Sequence, residues 1–566
     1  MNGTDGSDAS EGAFGVAAAV VGVTVAAATY VRIFFGVDFT DESFYIAVPL
    51  RIWAGARPFV DETQVTDTTT ALVIAPLLGL YKAFFGVAGI VLFVRHVYLV
   101  VVALVGAVVF DCARRRGASR SVSFLLALVP VATIPFNIPS LSYNTVASAL
   151  LTVGFFIYPL PSERRSSTTR ACIAGFCHGT AAVAYPPLVV VVAGLIAVSV
   201  LRNRPGIRAY AAAAAVPVVS MAFILLLWVG VAPIIHDYRN STRFSGQGGG
   251  LEKVRSVLSG EMDVYRLAAV VLVPYLGLLL WARTRRPGLV RQLLPLLPLL
   301  CFLAAPGHYW AASLDVVGLL SLAGAALYPF VARTAYGREM FGYVWLPSIF
   351  AGCVTAYSSA NGQINFGVGA FSAAMVPLLL LPIAITPSAN HTTTGEIDAA
   401  PALAAITGVL TLLVVLQWTS VYRDAGIAKL GSTGTGAYAG LRTTDGKVAF
   451  LQQLRSDIEP TPGSMKGIMF YDNFPAGYIL SELPSRTNTA WTFQFVGRKR
   501  VRYRQLLLRY YASHAPPGEV VEMHQIPQGS SALKEIHDAE DPLATFVRRR
   551  YKKIVQRRDY IVFAQP

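Results

Sequence analysis

Three carboxylates, Asp38, Asp41 and Glu42, stand within five positions of one another, just past an apolar run from Phe14 to Phe35. Acids so spaced can take a proton from an attacking group or share a divalent cation such as Mg or Mn. The segment that follows, SFYIAVPLRIWAGARPFVDE, interleaves Phe44, Tyr45, Ile46, Val48, Leu50 and Trp53 with Arg51 and Arg57. That mixture belongs on a helix lying in the membrane interface. A carboxylate pinned between a span and such a helix sits at the depth of a lipid headgroup; the competing reading is a solvated loop acid.

These residues need elements to hold them. The 566-residue chain is 54% hydrophobic and 14% charged, against about 25% charged in soluble domains. An ordinary soluble enzyme is thereby excluded, and most of the chain belongs in a bilayer. Basic loops at 111–120, 161–170, 201–208, 281–291 and 332–339 alternate with acidic, polar or aromatic ones at 38–45, 137–144, 234–266, 307–315 and 358–367. The basic set is cytoplasmic by the positive-inside rule, so the net charge of +15 is no sign of nucleic acid.

The alternation predicts a polytopic α-helical membrane protein with about thirteen transmembrane helices and a cytoplasmic N-terminus. Thr68 to Gly86 lies on the outer leaflet in this scheme, and Pro186 and Pro187 break Ala171 to Val200 into two short spans. A membrane module, 1–419, includes a first external loop at 37–90. A small external or periplasmic α/β domain, 420–566, follows a final span at Ala402 to Trp418. In it, Val448, Leu451, Leu454 and Ile458 have helical spacing, and strand-like runs occur at Gly467 to Tyr471, Val520 to Ile526 and Tyr560 to Ala564.

Other features are weaker. Arg95 and His96 fall inside a predicted span, with Arg95 reaching toward the outer face, and His178 reads as a packed helix contact. The five cysteines have no metal or disulfide spacing. The basic runs Gly497 to Arg504 and Arg548 to Arg558 suit either a solvated face or docking on anionic lipid or polymer. No Walker loop, GxGxxG or HExxH is present, so nothing supports an ATP-driven pump, an oxidoreductase or a metalloprotease.

TDESFY after the first span, GARPFVDE, a second surface helix from near Pro76 closing with FFG at Phe84 to Gly86, and AGFCHGTAAVAYPP together resemble the polytopic GT-C glycosyltransferases. The likeness is to the family-39-like branch, with its protein mannosyltransferase, aminoarabinose-transferase and Rgt-type members. It covers the organisation of nearly the whole chain and, at residue level, roughly the first third.

The resemblance implies a GT-C fold in the cell (inner) membrane and an inverting hexosyl- or pentosyltransferase. Such an enzyme moves a sugar from a polyprenyl-phosphate donor to a glycan, lipid or protein acceptor of the cell envelope. It also implies Asp41 as general base, with Glu42 beside it. Physical reasoning is compatible: a hydroxyl attacking an anomeric carbon needs one base, while a phosphate leaving group needs charge compensation rather than an acid.

Candidates for donor phosphate or sugar contacts are Asp38, Arg57, Lys82, His236, Tyr238, Arg239, Arg243 and His308, with Lys253 and Arg255 as further outward cations. For each cation the competing reading is a headgroup-facing charge, and taken singly that reading is the stronger. No cofactor is evident beyond a divalent cation held through Asp38, Asp41 or Glu42. The alternative is a transporter or flippase of lipid-linked saccharides, which calls for an internal repeat and ionisable groups at the bilayer midplane.

Overall fold

The computed structural model describes residues 5–63, 65–158, 164–244, 250–305, 312–359, 361–385, 400–458, 466–481, 483–491, 498–535 and 541–566. Four helices open the chain: α1 (Asp5–Arg32), α2 (Asp41–Trp53), α3 (Val65–Phe85) and α4 (Ile90–Arg115). Among the described residues, seven helices are long and apolar enough to cross a membrane, beginning with Gly15–Arg32 and Ile90–Arg115 and ending with Ala400–Thr419. A pair bent by 50°, Gly362–Gly369 with Phe371–Leu381, makes an eighth.

The expected thirteen spans also include shorter apolar helices, Arg120–Ala132, Tyr143–Ile157 and Pro186–Leu201 among them. At about 1.5 Å per residue these fall short of the ~30 Å hydrocarbon layer, so only seven or eight qualify by length and composition. The proline break is present: one helix ends at Ala184, a short turn covers Pro186–Leu188, and the next helix starts at Val189. Two residues without a free N–H cannot continue the ladder.

The last part of the chain carries the strands. A four-stranded sheet runs in the order Ile468–Tyr471, Glu519–Met523, Tyr560–Ala564, Lys552–Gln556. Its first pair is parallel, with Ile468 opposite Glu519, and the others are antiparallel. The expected run from Val520 to Ile526 divides in two. Its first part stays in the sheet, and Gln525–Gln528 turns away to pair with Ser531–Lys534. Helix Asp445–Ile458 buries Leu451, Leu454 and Ile458 as expected, whereas Val448 is only partly buried and Phe450 fills the core instead.

One apolar core joins this region to the segment 37–90. Val48, Leu50, Ile74 and Leu78 of α2 and α3 share it with Phe450, Leu454, Phe470, Val521 and Val562. Phe39 is the anchor, 2% exposed and in ring contact with Tyr438, Phe450 and Phe474 at 5.7 Å each. The turn that carries the acids is therefore gripped from both sides. α3 buries Ala71, Ile74, Ala75 and Leu78 against this core while the apolar Leu80, Phe84 and Phe85 stay exposed, so both of its faces are apolar.

Candidate active site

The first span ends on a buried arginine. Arg32 donates through Nε to the Gln417 carbonyl at 2.7 Å and through Nη2 to Asn137 Oδ1 at 3.1 Å, and Asn137 in turn donates to Ser420. Both Gln417 and Ser420 lie at the end of the last span, so the two ends of the membrane module meet here. Gly36 follows with φ +91°, and a Cβ there would stand 2.1 Å from Val421 Cγ1. Only glycine fits so close an approach in that conformation.

Asp38 is spent on structure. Its Oδ1 accepts from the Thr40 N–H (3.0 Å) and hydroxyl (2.6 Å), and its Oδ2 from the Glu42 N–H (2.8 Å), which caps the first turn of α2. We expect Asp38→Ala to cost about 1–2 kcal/mol of stability, read as a lowered midpoint of thermal unfolding in detergent, through loss of this cap.

Glu42 is also fully engaged. Arg95 meets it in a fork, Nε to Oε1 at 2.7 Å and Nη2 to Oε2 at 2.6 Å, with both residues almost completely buried. Arg95 also donates to the carbonyls of Ile33, Phe35 and Gly36. This corrects the expectation that Arg95 reaches toward the membrane surface: α4 turns it inward, where a carboxylate and three carbonyls satisfy it. Burial pushes the Glu42 carboxyl up from its ordinary pKa, against the pull of Arg95.

Asp41 differs from its neighbours. Its Oδ2 accepts from the Tyr422 hydroxyl at 2.5 Å and pairs with Arg423 at 3.1 Å, while Oδ1 has no hydrogen-bond partner among the described residues. Its side chain keeps 16% exposure. Burial raises its pKa, and the Arg423 charge and the Tyr422 hydrogen bond work in the opposite sense. Arg423 also donates to the Thr40 hydroxyl and sits at φ +49°, a left-handed conformation that is costly outside glycine and often marks a functional position. Asp424 accepts from the Val37 N–H at 2.8 Å and pairs with buried Lys447, which donates to the Val37 and Arg423 carbonyls.

Tyr422, Arg423, Asp424 and Lys447 were not singled out in the sequence. The available signal was VYRD immediately after the last span, charges at a membrane boundary opposite the Asp41 cluster.

A narrow cleft beside these residues is lined by Arg32, Asp38, Glu42, Arg95, Asn137 and Tyr422. On the other side of α2, Phe44, Tyr45, Val48, Thr70, Leu141 and Tyr143 line a mainly apolar pocket. The other predicted contacts lie apart. Arg57 is tied to Asp61 (3.1 Å) and His514 (3.0 Å), and Lys82 is exposed in the last turn of α3. His236, in contact with Asn240, and the exposed Tyr238 and Arg239 stand on helix Val231–Phe244. No hydrogen bond or ion pair joins any of these to Asp41 among the described residues. His308 and the Arg243 side chain lie outside the described residues.

The expected divalent cation does not fit the arrangement. Both oxygens of Asp38 serve the helix cap and both of Glu42 serve Arg95, which leaves Asp41 Oδ1 alone. Mg or Mn needs several converging oxygens, and no group of three or more potential metal ligands occurs among the described residues.

No family model matches the chain, and no curated protein matches it. The chain is similar to solved structures of ArnT and an archaeal oligosaccharyltransferase. The ArnT of Cupriavidus metallidurans bound to undecaprenyl phosphate has 14% identity, a TM-score of 0.46, and coverage of 99% of this chain and 98% of that one. Its apo state has 15% identity, a TM-score of 0.43, and coverage of 96% and 97%. The Archaeoglobus fulgidus oligosaccharyltransferase in complex with zinc and sulfate has 12% identity, a TM-score of 0.45, and coverage of 89% of this chain and 68% of that one.

Proposed function

We propose that this protein is an inverting glycosyltransferase that moves a sugar from a polyprenyl-phosphate donor to a cell-envelope acceptor, with Asp41 as its general base. One observation carries the reading. Of the three clustered acids, Asp41 alone keeps a free, partly exposed oxygen, while Tyr422 and Arg423 fix the other. Asp41 Oδ1 takes the proton of an acceptor hydroxyl, the hydroxyl oxygen bonds to the anomeric carbon, and the anomeric carbon–oxygen bond breaks. The electron pair leaves with the phosphate. Once Asp41 is protonated, the Arg423 charge is no longer matched by it and becomes available to the leaving phosphate.

Asp38 and Glu42 are positioning residues in this scheme. One fixes the start of α2, and the other locks that helix to α4. With this reading goes an orientation in the cell membrane that leaves the N-terminus cytoplasmic and 420–566 as an external domain.

The test is reconstitution of the full chain in liposomes with an undecaprenyl-phosphate-linked sugar and candidate acceptors. Formation of a glycosylated product is the expected result. Movement of the saccharide across the bilayer without product would overturn the proposal in favour of a flippase.

The pH profile gives a second check. A buried Asp41 with a raised pKa is converted to its base form at higher pH than a free aspartate at ~3.9. Turnover should fall as pH drops through that raised value. Arg423→Gln removes the cation that favours the carboxylate, so its acidic limb moves to higher pH, whereas Arg423→Lys keeps it near the wild-type position. An unmoved limb in Arg423→Gln would count against Asp41 as the titrating base.

A further inference from the structure

At the other end of α4 lies a second unusual arginine. Arg95 marks the active-site end of this helix, and Arg116, its C-terminal cap, comes 21 residues later, about 30 Å along an α-helix. Arg116 therefore lies at the opposite membrane face. Its guanidinium is buried, and among the described residues none of Nε, Nη1 and Nη2 donates a well-formed hydrogen bond. The group stands 5.3 Å from the centre of the Tyr336 ring, and the buried Tyr336 hydroxyl has, among the described residues, no hydrogen-bond partner beyond a weak contact with Arg116 itself.

Among the described residues, the two carboxylates near it in sequence or across the adjoining helices are engaged elsewhere. Asp111 is taken by Arg115 at 2.6 Å, and Glu339 stands 3.7 Å from Arg204. A guanidinium can only donate, so whatever completes this site must accept hydrogen bonds, and burial of an unmatched positive charge calls for an anion. The segment after Tyr336 contains one π-helical turn, Phe341–Trp345, an irregularity that often accompanies binding sites.

We propose that Arg116 and Tyr336 form a phosphate-binding site at the membrane face opposite Asp41. The planar fork of Arg116 offers parallel donors to two phosphate oxygens, and the Tyr336 hydroxyl donates to one of them. The phosphate comes either from an anionic phospholipid headgroup or from solution, and the two sources are separable.

The experiment uses the full chain in detergent, with bound lipid counted by native mass spectrometry after equal additions of phosphatidylglycerol or phosphatidylcholine. Wild type should retain one phosphatidylglycerol in preference to phosphatidylcholine. Occupancy should fall at least tenfold in Arg116→Gln and severalfold in Tyr336→Phe, and persist in Arg114→Gln, which removes an exposed arginine two positions away. If inorganic phosphate raises the unfolding temperature of wild type but not of Arg116→Gln, and displaces the lipid, the site takes phosphate from solution. Retention of lipid against phosphate assigns the headgroup. Equal lipid occupancy in wild type and Arg116→Gln, or equal loss in Arg114→Gln, would overturn the site. Should Arg116→Gln fail to fold, Tyr336→Phe decides, since it removes one hydroxyl and leaves the ring against Arg116.

Discussion

Asp41→Asn is expected to lower sugar transfer by about 10²–10⁴-fold while leaving the protein folded, the usual span for removing a general base. Asparagine keeps the shape of the side chain and an oxygen that can accept from Tyr422. What it loses is the capacity to hold the acceptor's proton. Arg423 is left without its partner charge, but at 28% exposure water offsets much of that, and its bond to Thr40 remains. Initial rates in liposomes, with unfolding curves of both proteins, separate the two effects. Turnover within a few-fold of wild type in a well-folded variant would remove Asp41 from the mechanism.

The largest stability effect should come from Arg95→Met, at about 3–5 kcal/mol, because one half of a buried ion pair is removed and the other is stranded. Glu42 would then be a buried carboxylate without its fork, and the carbonyls of Ile33, Phe35 and Gly36 would lose their donor. Adding Glu42→Gln to that variant should recover part of the loss, since the unmatched charge disappears. Unfolding midpoints of the two single variants and the double variant close this cycle. A double variant whose loss equals the sum of the two single losses would show that the pair is not energetically linked.

The acid cluster was legible because its members are neighbours in sequence, but the partners that set Asp41 apart from Glu42 were not. Asp41 and Glu42 are adjacent, yet successive helical residues point about 100° apart. One carboxylate consequently faces Tyr422 and Arg423, and the other faces Arg95. Nothing local distinguishes them. Arg95 looked like an interfacial charge because its partner lies 53 positions away, and Tyr422 is separated from Asp41 by 381. Spans and loops were readable from apolar runs and basic residues, and Pro186 and Pro187 broke their helix where expected. The number of crossings was less so, since helices such as Arg120–Ala132 are short and their reach depends on packing. In the strand region, period-two runs identified the sheet but not the turn at His524 that diverts Gln525–Gln528 from it.

The fastening of Asp41 by residues from the far end of the chain also sets a clock. Arg32 and Asp41 emerge from the ribosome early, whereas Gln417, Tyr422 and Arg423 follow some 381 to 385 positions later. At about 5–20 residues per second, the acid turn waits roughly 20–80 s before its partners exist. Through that interval Asp38 can cap α2 and Arg95 can seize Glu42, both being made early. Asp41 cannot yet be oriented. If Asp41 is the base, a chain that stalls before Tyr422 is expected to lack transfer activity, because neither of the side chains that hold its Oδ2 has been made.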